Sequence, residues 1–311
     1  MTEKNPKVSI IMATYNRANY IIESLSSIQN QTYNNWECLI IDDGGSDNTV
    51  AVIEPLIQSD KRFKYLKRPS KYKKGLPGSR NYGLDLSKGD YVIFFDDDDI
   101  VHPQNLELCV DELSNKDVRF CRYLRTVFTG NFDYNFDESK HYASFNMGII
   151  DLEAVLKNEI PLNSCAVMWK KECFENHRFA EELMYAEEWE LYSRILSNGF
   201  KGVSINKILF YGRKHPNSNT GEFYKNDLIR VASKKRAIEL VVSNLASKGL
   251  LTIKLFKYLV NLAIGFRDYK LVKNVLRVSK SNTKVALFIY LKYVLFPVWV
   301  VYRKVIKTIK N

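Results

Sequence analysis

Four consecutive carboxylates, Asp96-Asp97-Asp98-Asp99, follow the apolar pair Phe94-Phe95. Adjacent anions repel, so the run calls for a compensating cation. In an extended segment, alternation sends Asp96 and Asp98 to one side, where two hard oxygen ligands suit a divalent cation that also grips phosphate oxygens. An acidic turn or helix cap leading to Pro103 is the competing reading. Further polar clusters are Ala13-Thr14-Tyr15-Asn16-Arg17, Asp42-Asp43-Gly44-Gly45-Ser46-Asp47, the basic loop Lys71 to Gly78 ahead of Arg80, and the acidic pair Glu187-Glu188.

The surrounding periodicity says what positions these clusters. Val8 to Met12, Trp36 to Ile41, Phe63 to Lys67 and Tyr91 to Phe95 read as strands. Helical patterns follow the first two, with Ile21, Ile22, Leu25 and Ile28 on one side and then Thr49 to Ile57, and Ser79 to Leu86 precedes the fourth. Alternating strands and helices predict an α/β fold with a mostly parallel sheet, in which ligands bind beyond the carboxyl ends of the strands. The clusters sit at such ends. Beyond about residue 101 the pattern is less regular, with strand candidates at Val118 to Leu124, Cys165 to Trp169 and Leu209 to Tyr211, and a helix over Ala186 to Ser197.

The 311 residues are 46% hydrophobic and 26% charged, which excludes a disordered chain. Five scattered cysteines form no C-x-x-C pair, which argues for a reduced protein without a cysteine metal site. Residues 1–20 show no signal-peptide pattern. Charge is unevenly divided: residues 222–311 carry a net +15 of the chain's +11, leaving −4 for residues 1–221. Two regions are therefore expected, an α/β domain over 1–221 and a basic helical region over 222–311.

Five motifs in order over about the first 220 residues resemble the inverting family 2 glycosyltransferases of the GT-A fold. They are Val8 to Arg17, Ile41 to Thr49, Ser79 to Leu84, Phe95 to Asp99, and Ala186-Glu187-Glu188-Trp189-Glu190-Leu191. The resemblance implies that Thr14, Tyr15, Asn16, Arg17 and Asp43 bind the nucleotide, Tyr15 lying on the base and Asp43 accepting from a ring N–H. An aromatic face stacks on any base, and a carboxylate selects one with a donor, so a UDP-sugar is favoured. For Asp42 and Asp43 a turn role before Gly44-Gly45 is the alternative. Arg80, at a helix start, suits a diphosphate or the aspartates, with Asp96 and Asp97 beside the donor. The metal, Mn2+ or Mg2+, is expected on Asp98 and Asp96, with His215 where related enzymes often complete the site. Arg213 and Lys214 are further phosphate candidates.

Displacing a nucleotide diphosphate requires a base for the acceptor proton and stabilisation of the leaving charge. The family uses the Asp of a Glu-Asp pair as base. Here Glu187-Glu188 aligns with it, making Glu188 the expected base and Glu187 the fallback, against a bland role favouring the helix dipole.

Val285 to Tyr302 contains one charge, Lys292, and is followed by Arg303, Lys304, Lys307 and Lys310. A helix lying on an anionic membrane surface, with Trp299 and tyrosines at headgroup depth, ranks ahead of a span, a packed core helix and nucleic-acid binding. The expected protein is a peripheral or monotopic enzyme at the cytoplasmic face of the cell membrane, adding single sugars to a saccharide or lipid-linked acceptor. A sugar nucleotidyltransferase and a non-catalytic membrane scaffold are the alternatives.

Overall fold

The computed structural model describes residues 5–214 and 219–310. They fall into two compact units, Met1–Val231 and Ala232–Asn311.

The first unit begins with β1 (Val8–Thr14), α1 (Ile21–Gln29), β2 (Trp36–Asp42), α2 (Thr49–Ser59), β3 (Phe63–Lys67), α3 (Leu76–Leu86) and β4 (Tyr91–Phe95). It continues through β5 (Ile100–Val101), α4 (Asn105–Asn115), β6 (Phe120–Phe128), β7 (Ser144–Met147), α5 (Leu152–Leu156), β8 (Val167–Lys170), α6 (Glu187–Leu196), β9 (Gly202–Arg213) and α7 (Asn219–Tyr224). All nine strands join one sheet in the order β3-β2-β1-β4-β8-β6-β9-β5, with β7 paired to β9. The long ladders β1–β2, β1–β4, β2–β3 and β6–β9 are parallel, whereas β8, β5 and β7 add short antiparallel ones.

The four strands read from the sequence are present; the inner ones are apolar because a parallel strand covered on both faces must be, whereas β3, at the sheet edge, is half-buried. β2 and β4 are buried at every position. Helix α1 buries Ile21, Ser24, Leu25 and Ile28, the spacing of one helical face. Helix α3 approaches the sheet through small residues: a Cβ on Gly83 would lie 2.4 Å from Ile11 Cγ2. Strands β5 and β7 lie outside the predicted elements; two and four residues give too short a window for a period. β9 runs well beyond Leu209 to Tyr211, and its ladder with β6 carries register shifts near Leu124.

The second unit is helical. It holds most of α8 (Leu228–Ser247), then α9 (Ile253–Gly265), α10 (Tyr269–Val278) and α11 (Thr283–Lys310). Thr252 and Asp268 cap α9 and α10 by accepting from the N–H groups of Leu255 and Leu271, both at 3.1 Å. On α11, Ile289 is buried, Lys292 Nζ donates to Asn261 Oδ1 (2.7 Å) and Tyr293 Oη donates to the Arg267 carbonyl (3.0 Å). Tyr290 and Tyr293 both pack on Tyr269. Of the tyrosines expected at headgroup depth, Tyr290 and Tyr293 thus make contacts within this unit, and the side chain of Tyr302 lies outside the described residues. The side chain of Trp299 lies outside the described residues. Leu287, Phe288, Leu291, Val294 and Leu295 form an exposed apolar stripe instead. Among the described residues no helix is long and apolar enough to cross a membrane.

Candidate active site

Register brings the sequence clusters to one edge of the sheet. Thr14, closing β1, stands opposite Asp42, closing β2, and Met12 stands opposite Phe95, closing β4. The loops after these three parallel strands therefore open side by side.

Asp42 and Asp43 divide their labour. Asp42 forms the turn, its Oδ1 accepting from the Gly45 N–H (2.9 Å) and its Oδ2 from Tyr65 Oη (2.9 Å). Asn16, at φ 54°, ties the first loop to the second, since its Oδ1 accepts from the N–H groups of Ser46 (2.7 Å) and Asp47 (3.2 Å). Gly45 permits this approach: a Cβ there would be 3.1 Å from both Asn16 Oδ1 and Asp42 Oδ1. Asp43 is buried and accepts from Arg68 Nε, the Gly75 N–H (2.9 Å to Oδ2) and Ser79 Oγ (3.2 Å). Tyr15 is 46% exposed, and Lys74 Nζ lies 4.8 Å from its ring centre. Thr14 is buried and its carbonyl accepts from the Asp43 N–H (3.0 Å).

The aspartate run is a turn. β4 ends at Phe95 and the turn occupies Asp97-Asp98, so the strand alternation expected to align Asp96 with Asp98 does not operate. Arg17 pairs with Asp97 (Nε–Oδ1, 3.1 Å) and Asp98 (Nη2–Oδ2, 3.3 Å). Arg213 donates its backbone N–H to Asp99 Oδ1 (2.7 Å) and Nε to the Asp98 carbonyl (2.9 Å). Its remaining guanidinium nitrogens reach the Gly130 carbonyl (2.8 Å) and Glu23, so Arg213 serves the protein instead of a phosphate. Crowding of buried acids leaves its mark on proton affinity. Burial pushes Asp97 up to about 7, opposed by the Arg17 charge and reinforced by Asp98. Burial likewise raises Asp96 and Asp99, with neighbouring carboxylates adding to it.

The Asp96 side chain keeps 38% exposure at the cleft. Donor atoms of Asp96, Asp99 and Cys165 lie within 4.8 Å of one another. Burial pushes the Cys165 thiol well up, so it stays protonated and the hard donors are the two carboxylates. That pair fits an oxygen-seeking divalent cation. Asp98 faces Arg17, and His215 lies outside the described residues. Lys214 is exposed.

Arg80, on α3, is buried and links the acid turn to α6. Its Nη2 reaches Asp96 Oδ1 (3.2 Å) and Ser164 Oγ (2.9 Å), and Nη1 reaches Glu187 Oε1 (3.1 Å). Glu187 is buried, and burial pushes its carboxyl up to about 7 against the pull of Arg80. Glu188 is half-buried, with Oε2 accepting from the Ser164 N–H (2.9 Å). Ala186 starts α6 at φ 64°, a left-handed conformation costing a non-glycine residue about 1–2 kcal/mol.

Sequence reasoning missed Arg68, Asp99, Ser164 and Cys165. Arg68 immediately follows β3, so its strand-end position was a usable signal. Asp99 lies inside the acidic run, on the face opposite Asp96 in strict alternation. Nothing in the spacing marks Ser164 or Cys165.

A model of the family described as Glycosyl transferase family 2 matches residues 9–173. The chain is 28% identical over 284 residues to glycosyltransferase GlyG of Streptococcus pneumoniae, covering 85% of this chain and 87% of that protein. It is 41% identical over 113 residues to the UDP-Glc:alpha-D-GlcNAc-diphosphoundecaprenol beta-1,3-glucosyltransferase WfgD of Escherichia coli, covering 36% and 43%. Among solved structures, S. aureus TarS 1-349 in complex with UDP-GlcNAc aligns with a TM-score of 0.65 at 16% identity, covering 88% of this chain and 91% of that one. The fold is therefore GT-A, with a helical region after it. The matched segment runs from β1 through the acid turn to just beyond β8, and the chain belongs to glycosyl transferase family 2 and is a glycosyltransferase.

Proposed function

We propose that the protein moves one sugar from a nucleotide-diphosphate donor, with a UDP-sugar favoured, to a hydroxyl of a saccharide or lipid-linked acceptor, inverting the sugar carbon. The observation that carries this reading is the linked chain Asp96–Arg80–Glu187, buried at Arg80 and Glu187, with Glu188 beside it. One guanidinium holds both the acid turn, where a leaving group needs a cation, and the helix start, where an acceptor needs a base.

Tyr15 offers an exposed face for the base, and Asp43 is held rigid by Arg68, Gly75 and Ser79 for the ring N–H. Thr14, Asn16 and Arg17 shape that end of the cleft. Asp96 and Asp99, with Asp98 adjoining, are the carboxylates that would hold Mn2+ or Mg2+, which when bound supplies a Lewis acid to the diphosphate. Asp97 neutralises Arg17 beside them. Glu188 has one oxygen anchored by the Ser164 N–H and takes the acceptor proton with the other. The acceptor oxygen then bonds to the sugar carbon from the face opposite the diphosphate, and the electrons of the breaking C–O bond pass to the diphosphate. Glu187, bound to Arg80, positions the pair.

A lipid-linked acceptor is supported by the named substrate of the Escherichia coli relative. The apolar stripe of α11, in a region with net charge +15, suits an anionic membrane surface and a peripheral site of action at its cytoplasmic face.

The test is turnover of a nucleotide-sugar panel by the purified chain in Mn2+ buffer, beside Glu188→Gln. Wild type should hydrolyse or transfer from one donor, and the variant should lose about 100-fold or more while its melting curve is retained. Undiminished turnover by Glu188→Gln would remove the base assignment.

A further inference from the structure

A further arginine beside the acid turn, Arg125, is not used by the reaction as described. Arg125 lies on the exposed side of β6, where Arg125 and Val127 face solvent. Its guanidinium rests over Gly212 of β9; a Cβ there would lie 2.8 Å from Arg125 Nη2. Gly212 immediately precedes Arg213, which holds Asp98 and Asp99, so the guanidinium stands at the rim of the acid turn. Partial burial of the guanidinium opposes its charge, and the carboxylates of Asp99, Asp96 and Glu188 favour it from nearby. Yet, among the described residues, it forms no ion pair within 4.0 Å and no side-chain hydrogen bond, unlike Arg17, Arg80 and Arg213.

The sheet order says which substrate it faces. The nucleotide loops close β1 and β2, the acid turn closes β4, and β6 lies two strands beyond β4 on the side away from β2. Arg125 therefore stands across the acid turn from Tyr15 and Asp43, on the side of Glu188. A guanidinium with five donors and no carboxylate partner there matches an oxyanion, most completely a phosphate, whose oxygens it can take in pairs.

We propose that Arg125 binds a phosphate group of the acceptor and thereby selects acceptors that carry a phosphate or diphosphate next to the sugar that is extended. The inference rests on the reading of the site as a sugar-nucleotide transferase. It differs from a donor role in what it predicts, because the donor diphosphate is assigned to the Asp96 side.

The experiment uses the full chain and matched acceptors: each sugar of a panel as its octyl glycoside and as its octyl diphosphate conjugate. The donor is the nucleotide sugar that wild type turns over. Wild type should prefer the diphosphate member by about tenfold or more in kcat/KM, mainly through acceptor KM. Arg125→Ala should abolish that preference by raising the diphosphate acceptor's KM about tenfold, with donor KM changing less than about twofold. Arg125→Lys should restore part of it, and Gly212→Ala, which pushes the guanidinium aside, should reproduce part of the loss. A rise in donor KM would assign Arg125 to the donor, and an equal loss on both acceptor forms would make it a general structural cation; either result overturns the proposal. Absence of turnover by wild type with every donor would instead remove the transferase reading on which it stands.

Discussion

At the scale of single residues, the site is a set of crowded acids whose protonation is decided by the competition between burial and the arginines Arg17, Arg80 and Arg125. Glu187 shows the sign. Its folded-state pKa of about 7 lies above the ordinary 4.5, so the folded protein holds this proton more tightly than the unfolded chain does. Its contribution to stability is complete below about pH 4.5 and is lost as pH rises through about 7. Glu187→Gln, which cannot ionise, should gain stability relative to wild type over that window and level off above it, as read from urea midpoints between pH 4 and 8. A difference that runs the other way would mean that Arg80 outweighs burial. Much of this chemistry is legible in the sequence, because Asp42, Asp43, Arg80 and the aspartate run stand at strand ends or helix starts. Partners such as Ser164 and Arg125 are not, since a serine in a loop or an arginine on an alternating strand looks like any surface residue until the sheet brings it round.

At the scale of elements, the inner parallel strands follow from hydrophobic runs, as β4 shows by ending where its run ends. The second half resists such reading because β8, β5 and β7 are short and antiparallel, and β9 is long and irregularly paired. Helix α3 illustrates what propensity misses. Alanine ordinarily improves on glycine inside a helix by about 1 kcal/mol. At Gly83 the new methyl would meet Ile11 Cγ2 at 2.4 Å, so Gly83→Ala should instead destabilise by about 1–3 kcal/mol in denaturant titration. A stabilised variant would show that α3 can lift from β1. Such a lift would also displace Arg80, three residues earlier on the same helix.

At the scale of the whole molecule, charge and apolar surface are segregated along the chain. The helical unit is basic and presents the Leu287–Leu295 stripe, and with Lys292 held by Asn261 that stripe is uninterrupted by charge. Changing Leu287, Leu291 and Val294 together to serine should weaken binding of the full chain to phosphatidylglycerol-containing vesicles by about tenfold or more, measured by flotation, while high salt weakens wild type. Equal flotation of both proteins would assign binding to another surface. The sheet carries a different consequence. The segment matched by the family model stops at residue 173, yet the strand that pairs with β5, β6 and β7 and supplies Arg213 is 202–213. During synthesis the chain thus emerges with its aspartates in hand and their clamp still unmade. A ribosome that stalled near the end of the matched segment would release an open β-edge, prone to foreign strands, instead of a smaller working enzyme.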